Sequence, residues 1–453
     1  MKNVVVASAC FIITTFSIFG QPNSNIKQIG TKDRIQNINL KTNPNEFNFD
    51  QALKSASSYK NLNLSNNNLE YIDRRISEFQ NLEYIDCSDN QLTGLPDELT
   101  NLKKLKKIKL SNNKFTHLPE VLQKISNLEI IYISSCEITN LELNLAKFQN
   151  LKVLDISKNP IKQINCFNNN GKFEEFQLNE CRLNNFPSSL FKIYSLKVLG
   201  LSGNEITNIP NEIMQLQNLG KLDLSKNKIS TLNGAVFELP KLESIDLSHN
   251  QLQNFVAHGA NPSNIKMLML GKNNINNFSS NNFEKLKYLD ISFQKAQKLF
   301  LNLDKSTNLE VLDLSGNPNL QIEGVEKLLN INEIDYLNAD LTEFPPFICN
   351  FKQLKKLNLA YNQISTIPNS IANLTELEHL MLSGNQISSL PESFCSLQKL
   401  KWVWLDQNRL SSLPVNLTKM SGLKLLSIRK NQFPDIQKEK IVSQLPKTVR
   451  VSF

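Results

Sequence analysis

Residues 105–115 read LKKIKLSNNKF, a string of the form LxxLxLxxNxL. The same form stands at LEYIDCSDNQL (82–92), LKVLDISKNPI (151–161), LGKLDLSKNKI (219–229) and LKLLSIRKNQF (423–433). Units start at 59, 82, 105, 128, 151, 173, 196, 219, 242, 265, 286, 309, 331, 354, 377, 400 and 423, and thirteen of the sixteen intervals are 23 residues. A fixed period of this length marks stacked copies of one supersecondary unit, so the 453 residues need not be shared among separate globular cores.

The spacing dictates the local geometry. LxL alternates with period two, so positions 4 and 6 of each unit point inward from a short strand while positions 3 and 5 point outward. The position-9 asparagine enters the turn after the strand, where its amide binds backbone groups that the bend leaves unpaired, and stacked copies build an asparagine ladder. The return leg often reads LPxxhxxL, as in LPDELTNL (95–102) and IPNEIMQL (209–216). Its proline breaks the strand and its later apolar positions fill the core from the other side. One unit cannot bury its own leucines, but a stack can.

The array resembles the leucine-rich-repeat family over nearly all of the chain beyond its leader. The expected fold class is therefore α/β: a leucine-rich-repeat solenoid, curved as a horseshoe, with a parallel concave sheet and short helices and turns on the convex side. The expected organisation is a signal peptide at 1–20, a lead-in and cap at 21–58, about 17 units over 59–433 and a C-terminal cap at 434–453. In the lead-in, RIQNINL (34–40) reads as a degenerate strand and NFDQALKSAS (48–57) as a short helix with Asp50 as N-cap. In the tail, FPDIQKEKIVSQLPKTVRVSF (433–453) reads as an amphipathic helix followed by Val449, Val451 and Phe453 at strand spacing. Lead-in and tail are similar to those of exported leucine-rich-repeat proteins of pathogenic spirochaetes. Regularity weakens over units 9 to 13, with VAHGANPSN (256–264), a shortened unit before 286, and Gln294 and Ala339 at the asparagine position.

Lys2 followed by VVVASACFIITTFSIFG has the layout of a signal peptide cleaved after Gly20. ASAC (7–10) superficially suits a lipidated Cys10, but the apolar run before it is very short and continues beyond it. No later segment has the ~18 consecutive apolar residues of a spanning helix, so the mature protein is expected to be secreted or associated with the cell surface. Fifty Lys and Arg against 42 Asp and Glu leave a net charge of +8, mild for this length and no argument for nucleic acid.

Six cysteines follow the leader. Cys136 and Cys181 take the position-9 place in units 4 and 6, where a small thiol tolerates burial and offers one weak hydrogen bond. Units about 4.8 Å apart put them roughly 10 Å from each other, beyond the ~7 Å Cα limit of a disulfide. Cys349 and Cys395 are separated in the same way, Cys87 occupies a core strand position, and Cys166 reads as part of an irregular convex loop. All six are expected to be free thiols.

Nothing in the sequence forms a catalytic constellation. His117, His249, His258 and His379 are scattered, and HExxH, GxxxxGK and GxSxG are absent, so neither catalysis, a metal nor a cofactor is expected. Function is expected on the outward strand positions instead. Trp402 and Trp404 fall at positions 3 and 5 of unit 16, with His379, Met381, Leu425, Tyr361 and Arg450 around them. Such residues are enriched at interface centres, so this group is the leading partner-binding candidate; packing of the rings on the C-terminal cap is its plain alternative. A secondary apolar group comprises Met267, Met269, Tyr288 and Phe293. The column Asp290, Asp313 and Asp335 reads first as solvated aspartates and second as a site for a divalent cation or a basic partner. LKKLKKIKL (102–110) puts Lys107 and Lys109 on the same face, read as solvated lysines before a sulfated-glycan site.

The expected function is a non-enzymatic, monomeric protein-binding solenoid. The spirochaete resemblance implies a host cell-surface or matrix protein as partner. The rival readings are an envelope protein that self-associates, an inhibitor or decoy of an enzyme, and a eukaryotic secreted receptor fragment glycosylated at sequons such as those of Asn373 and Asn416.

Overall fold

The computed structural model describes residues 49–256 and 263–453. The leader, the RIQNINL segment, His258 and most of VAHGANPSN lie outside the described residues. The chain forms two compact units, one reaching Cys181 and including Val198–Leu201, the other comprising Arg182–Lys197 and Ser202–Phe453.

In the first unit the LxL segments are three-residue parallel strands running from Asn61–Asn63 to Val198–Gly200, with Leu62, Ile85, Ile108, Ile131, Leu154, Phe176 and Leu199 in register. In the second, strands from Lys221–Asp223 to Arg450–Ser452 repeat the arrangement, with Leu222, Ile245, Leu268, Leu289, Leu312, Ile334, Leu357, Leu380, Val403 and Leu426 in register before Val451. Every one of these except Val451 is buried, as period-two alternation requires of the inward positions. This is a leucine-rich-repeat solenoid.

The asparagine ladder forms as the spacing predicts. Asn113 Oδ1 accepts from Leu92 N at 2.9 Å, while its Nδ2 donates to Cys87 O at 2.9 Å and Leu110 O at 2.8 Å. One amide thus serves a donor and an acceptor of the preceding repeat as well as its own. Gln294 reaches the same groups with one more methylene: Oε1 accepts from Ile275 N at 2.9 Å, and Nε2 donates to Leu270 O at 2.9 Å. Cys136 Sγ faces Leu110 O at 3.7 Å, and Cys181 Sγ faces Ile156 O at 3.6 Å. The two thiols therefore occupy rungs, and burial pushes Cys181 up to about 12. None of the six described cysteines is in a disulfide.

Position 8, just before the rung, takes a left-handed backbone. Asn66, Asp89, Asn112, Lys226, His249, Phe293 and Tyr361 hold φ between 50° and 58°. A Cβ makes this conformation unfavourable, and a stacking bond offsets it: His249 N donates to Gly271 O at 2.8 Å and Tyr361 N to Ser383 O at 2.7 Å, each on the next repeat.

The short convex helices of the LP legs are five-residue 3-10 turns; Asp97–Asn101 follows Pro96, whose carbonyl accepts from Leu99 N at 3.2 Å. In the weakly regular stretch the return legs are strands: Asn254–Val256, Asn277–Ser279, Leu299–Asn302 and Leu320–Glu323 make a second parallel sheet. Behind them Phe237, Phe255, Phe278 and Phe283 pack with ring centroids 5.4 to 6.3 Å apart. Cys166 lies in a strand too, Gln163–Phe167, paired with Asn140–Asn144, and not in an irregular loop. Finally, Asp50 sits inside the helix Phe49–Leu53, where its carboxylate accepts from Arg75 Nη1 at 2.7 Å. At the other end the helix Asp435–Gln444 buries Ile441, and the strand Arg450–Ser452 pairs with Leu425–Ser427.

Candidate functional site

The strand Trp402–Trp404 buries Val403 and leaves both indoles half-buried on its outward face. Register sets His379 on one side of Trp402 and Leu425 on the other, with Arg450 beyond Leu425. Met381 stands beside Trp404 in the next row. The His379 imidazole stacks on Trp402 with centroids 4.2 Å apart and planes inclined by 29°. The ammoniums of Lys424 and Lys401 approach the same indole to 5.6 and 5.9 Å, within cation–π range. Burial, and then the nearby Lys356, push the His379 pKa down, so the stacked ring is neutral at pH 7. The backbone beneath is fixed: Trp402 N donates to Glu378 O at 3.1 Å, and Asn408 supplies the rung. The C-terminal cap closes the stack with its own strand and helix, two strands past the tryptophans.

Six of the seven leading residues therefore share two adjacent rows. Tyr361 differs, because its position-8 backbone carries the ring over Gly384 of the next repeat. A Cβ on that glycine, at φ 71°, would lie 2.7 Å from the Tyr361 ring. Phe293 covers Gly316 in the same way and so stands apart from Met267, Met269 and Tyr288.

Tyr288 stands beside Met267 in register, as Asp290 does beside Met269, and so joins this group to the acidic column. Asp290, Asp313 and Asp335 are register partners on successive strands, and Tyr288 precedes Asp290 by two residues. The three aspartates are half-buried rather than fully solvated. Burial raises the pKa of Asp290 and Asp313, with mutual repulsion adding to Asp313, and Asp335 is pushed up to about 6. Burial followed by the Asp290, Asp313 and Asp335 charges also raises Tyr288. One oxygen of each carboxylate is already bonded. Asp290 Oδ1 accepts from Ser292 N at 2.9 Å, Asp313 Oδ1 from Ser315 N at 2.9 Å, and Asp335 Oδ1 from Asn358 Nδ2 at 2.8 Å. Among the described residues, no three His, Cys, Asp or Glu side chains converge to hold a metal ion.

The raised pKa values set a pH dependence. The folded state holds protons that the unfolded chain releases near pH 4, so this stability is present at low pH and is lost as pH rises through neutrality. Asp313→Asn keeps the bond from Ser315 N and removes the charge. It is expected to stabilise the protein more at pH 8 than at pH 5, by about 1–2 kcal/mol, read by thermal melts at both pH values.

Sequence reading missed the pairing at position 2. Glu83 meets Lys106 at 2.9 Å, Glu129 meets Lys152 at 2.7 Å, Glu243 meets Lys266 at 2.6 Å and Lys287 meets Glu310 at 2.7 Å. The alternation of acid and lysine one repeat apart was the available signal. Nor is Lys107 simply solvated: its ammonium lies 5.0 Å from the ring centroids of both Tyr84 and Tyr132, and Lys109 reaches Asp86 at 3.4 Å.

The repeat strands, the ladder and the matched sequence models define one class. Leucine-rich-repeat models match residues 80–138, 194–252 and 305–329, and a leucine-rich repeat region model matches 345–449. The chain is a leucine-rich-repeat protein, a class of binding scaffolds. The spirochaete resemblance is supported as well: a leucine-rich-repeat protein of Leptospira interrogans is similar at 28% identity and a TM-score of 0.71, covering 90% of this chain and 98% of that one. The fold is shared with the Toll–Spätzle complex of Drosophila (18% identity, TM-score 0.64, 86% of this chain and 53% of that one). It is shared too with YopM from Yersinia enterocolitica (18% identity, TM-score 0.51, 89% and 92%). No curated protein matches the sequence. Among the described residues, no helix is long and apolar enough to cross a membrane.

Proposed function

We propose that this chain is an exported, non-enzymatic scaffold that binds another protein through the outward face of its strands, with Trp402 and Trp404 as the anchors. The observation that carries the reading is the half-buried indole pair on a strand whose backbone is already fully bonded. A Trp side chain has on the order of 150 to 250 Å² to bury, part of which these half-buried indoles still offer to a partner, and a preformed face loses little freedom on binding. His379, Met381, Leu425 and Arg450 supply the adjoining contacts, and Tyr361 forms the border. By analogy with the exported spirochaete proteins, the partner is a host cell-surface or matrix protein.

The test is a titration of the mature protein against purified matrix and cell-surface proteins, read by tryptophan emission. Saturable binding with a shift in emission is expected. Binding that leaves the emission unmoved would exclude the tryptophan face as the binding surface.

A further inference from the structure

Gly220 interrupts the position-2 column. Its counterparts are Lys197 one repeat earlier and Glu243 and Lys266 in the two that follow. Where the column sets an acid beside a lysine, the two side chains close on each other as an ion pair, as Glu243 and Lys266 do. At Gly220 no side chain is present to close, and a cleft of about 430 Å³ opens, lined among others by Lys197, Lys241, Lys266, Lys285 and Glu243. Four lysines and one carboxylate thus line it, with Lys266 and Glu243 paired to each other.

The fold does not ask for glycine here. Gly220 is not among the positive-φ glycines, and a Cβ on it would meet only Lys197 O and Lys241 O at 3.6 Å, ordinary van der Waals contact. Glycine in an extended segment costs backbone entropy and removes a packing group. The gap is therefore an expense that stacking does not explain.

Two of the lysines are held in place without being neutralised. Lys241 Nζ donates to Asn218 Oδ1 at 2.5 Å and Lys285 Nζ to Asn264 Oδ1 at 2.5 Å. The asparagines are themselves fixed, Asn218 Nδ2 on Tyr194 O and Asn264 Nδ2 on Pro240 O, both at 2.9 Å. A neutral amide positions an ammonium and leaves its charge to act on whatever enters. The same anchor holds Lys104 on Asn81, but there Glu83 and Lys106 close the column beside it with their 2.9 Å ion pair.

We propose that the Gly220 cleft binds a sugar bearing clustered sulfate or phosphate groups. The two fixed ammoniums stand two repeats apart, with Asn264 between them, roughly 10 Å by the strand spacing, and suit several tetrahedral oxyanions on one small scaffold better than a single anion. The ring of Pro240 gives the lining an apolar surface for a sugar face. No aromatic ring lines the cleft for base stacking, which sets nucleic acid aside.

The test is calorimetric titration of the mature protein with a heparin-derived octasaccharide and, separately, with inositol hexakisphosphate. At least one is expected to bind, with affinity falling steeply as salt is raised; whichever binds more tightly identifies sulfate or phosphate as the source. Gly220→Glu fills the gap with the opposite charge and is expected to lower affinity by about tenfold or more, whereas Gly220→Ala stays within about threefold of the wild type. Lys241→Gln is a second variant, expected to weaken binding without touching Gly220. Trp402→Ala is expected to bind as the wild type does, which separates this site from the protein-binding face. Failure of both ligands to bind would overturn the proposal, as would unchanged affinity in both Gly220→Glu and Lys241→Gln. Equal affinity for a single-stranded oligonucleotide of matched charge would overturn the assignment to a sugar.

Discussion

Replacing Asn273 by alanine is expected to destabilise the protein by about 3 kcal/mol, whereas the same change at Asn67 costs under about 1 kcal/mol. Asn273 is fully buried; its Oδ1 accepts from Leu252 N at 3.1 Å, and its Nδ2 donates to Leu247 O at 2.9 Å and Leu270 O at 2.8 Å. The two carbonyls keep a second donor each, Asn250 for Leu247 and Gln294 for Leu270, so they are not orphaned. The Leu252 amide loses its rung, and a void the size of the removed amide remains in a tightly stacked interior. Asn67 makes one bond of this kind, to Ser65 O at 2.8 Å, and is only half-buried. Equilibrium unfolding in urea measures both variants. Equal losses at the two sites would mean that the ladder is not what holds the repeats together.

Removing both tryptophans, Trp402→Ala with Trp404→Ala, is expected to weaken partner binding by about 3–4 kcal/mol, more than a hundredfold, and to leave the melt cooperative. The strand keeps its backbone bonds and its buried Val403, and the lost rings face outward, so the cost falls on recognition rather than on the fold. His379 loses its stacking partner, and the Lys401 and Lys424 ammoniums lose the ring they approach. Unchanged affinity in a folded double variant would remove these residues from the site. Collapse of the melt would assign them to the stability of the cap.

The repeat, the inward positions and the ladder were legible because each depends on a spacing that the sequence displays. Even Cys136 and Cys181 could be seated on rungs from their position alone. Other features were hidden because neighbours decide them. Lys226, His249 and Tyr361 carry no residue-type signal for a left-handed backbone; the bond to the next repeat compels it. The second sheet rests on strands of three or four residues, such as Asn277–Ser279, too short for alternation to separate from a turn. The acidic column read as solvated because period-two spacing marks these positions as outward, whereas their half-burial depends on the side chains of the adjoining strands. The tryptophan rows were visible as register, but the placement of Tyr361 over Gly384 was not.

The proposed function requires a tryptophan face that is open and ready to receive a partner, and the only two tryptophans of the chain both lie on it. Acrylamide quenching of their emission across a dilution series of the mature protein tests this most directly. An open face predicts red-shifted, readily quenched emission at every concentration, lost when partner is added. Blue-shifted emission shielded at all dilutions would contradict it and assign the rings to packing, while shielding that disappears only on dilution would show the face already occupied by a second copy.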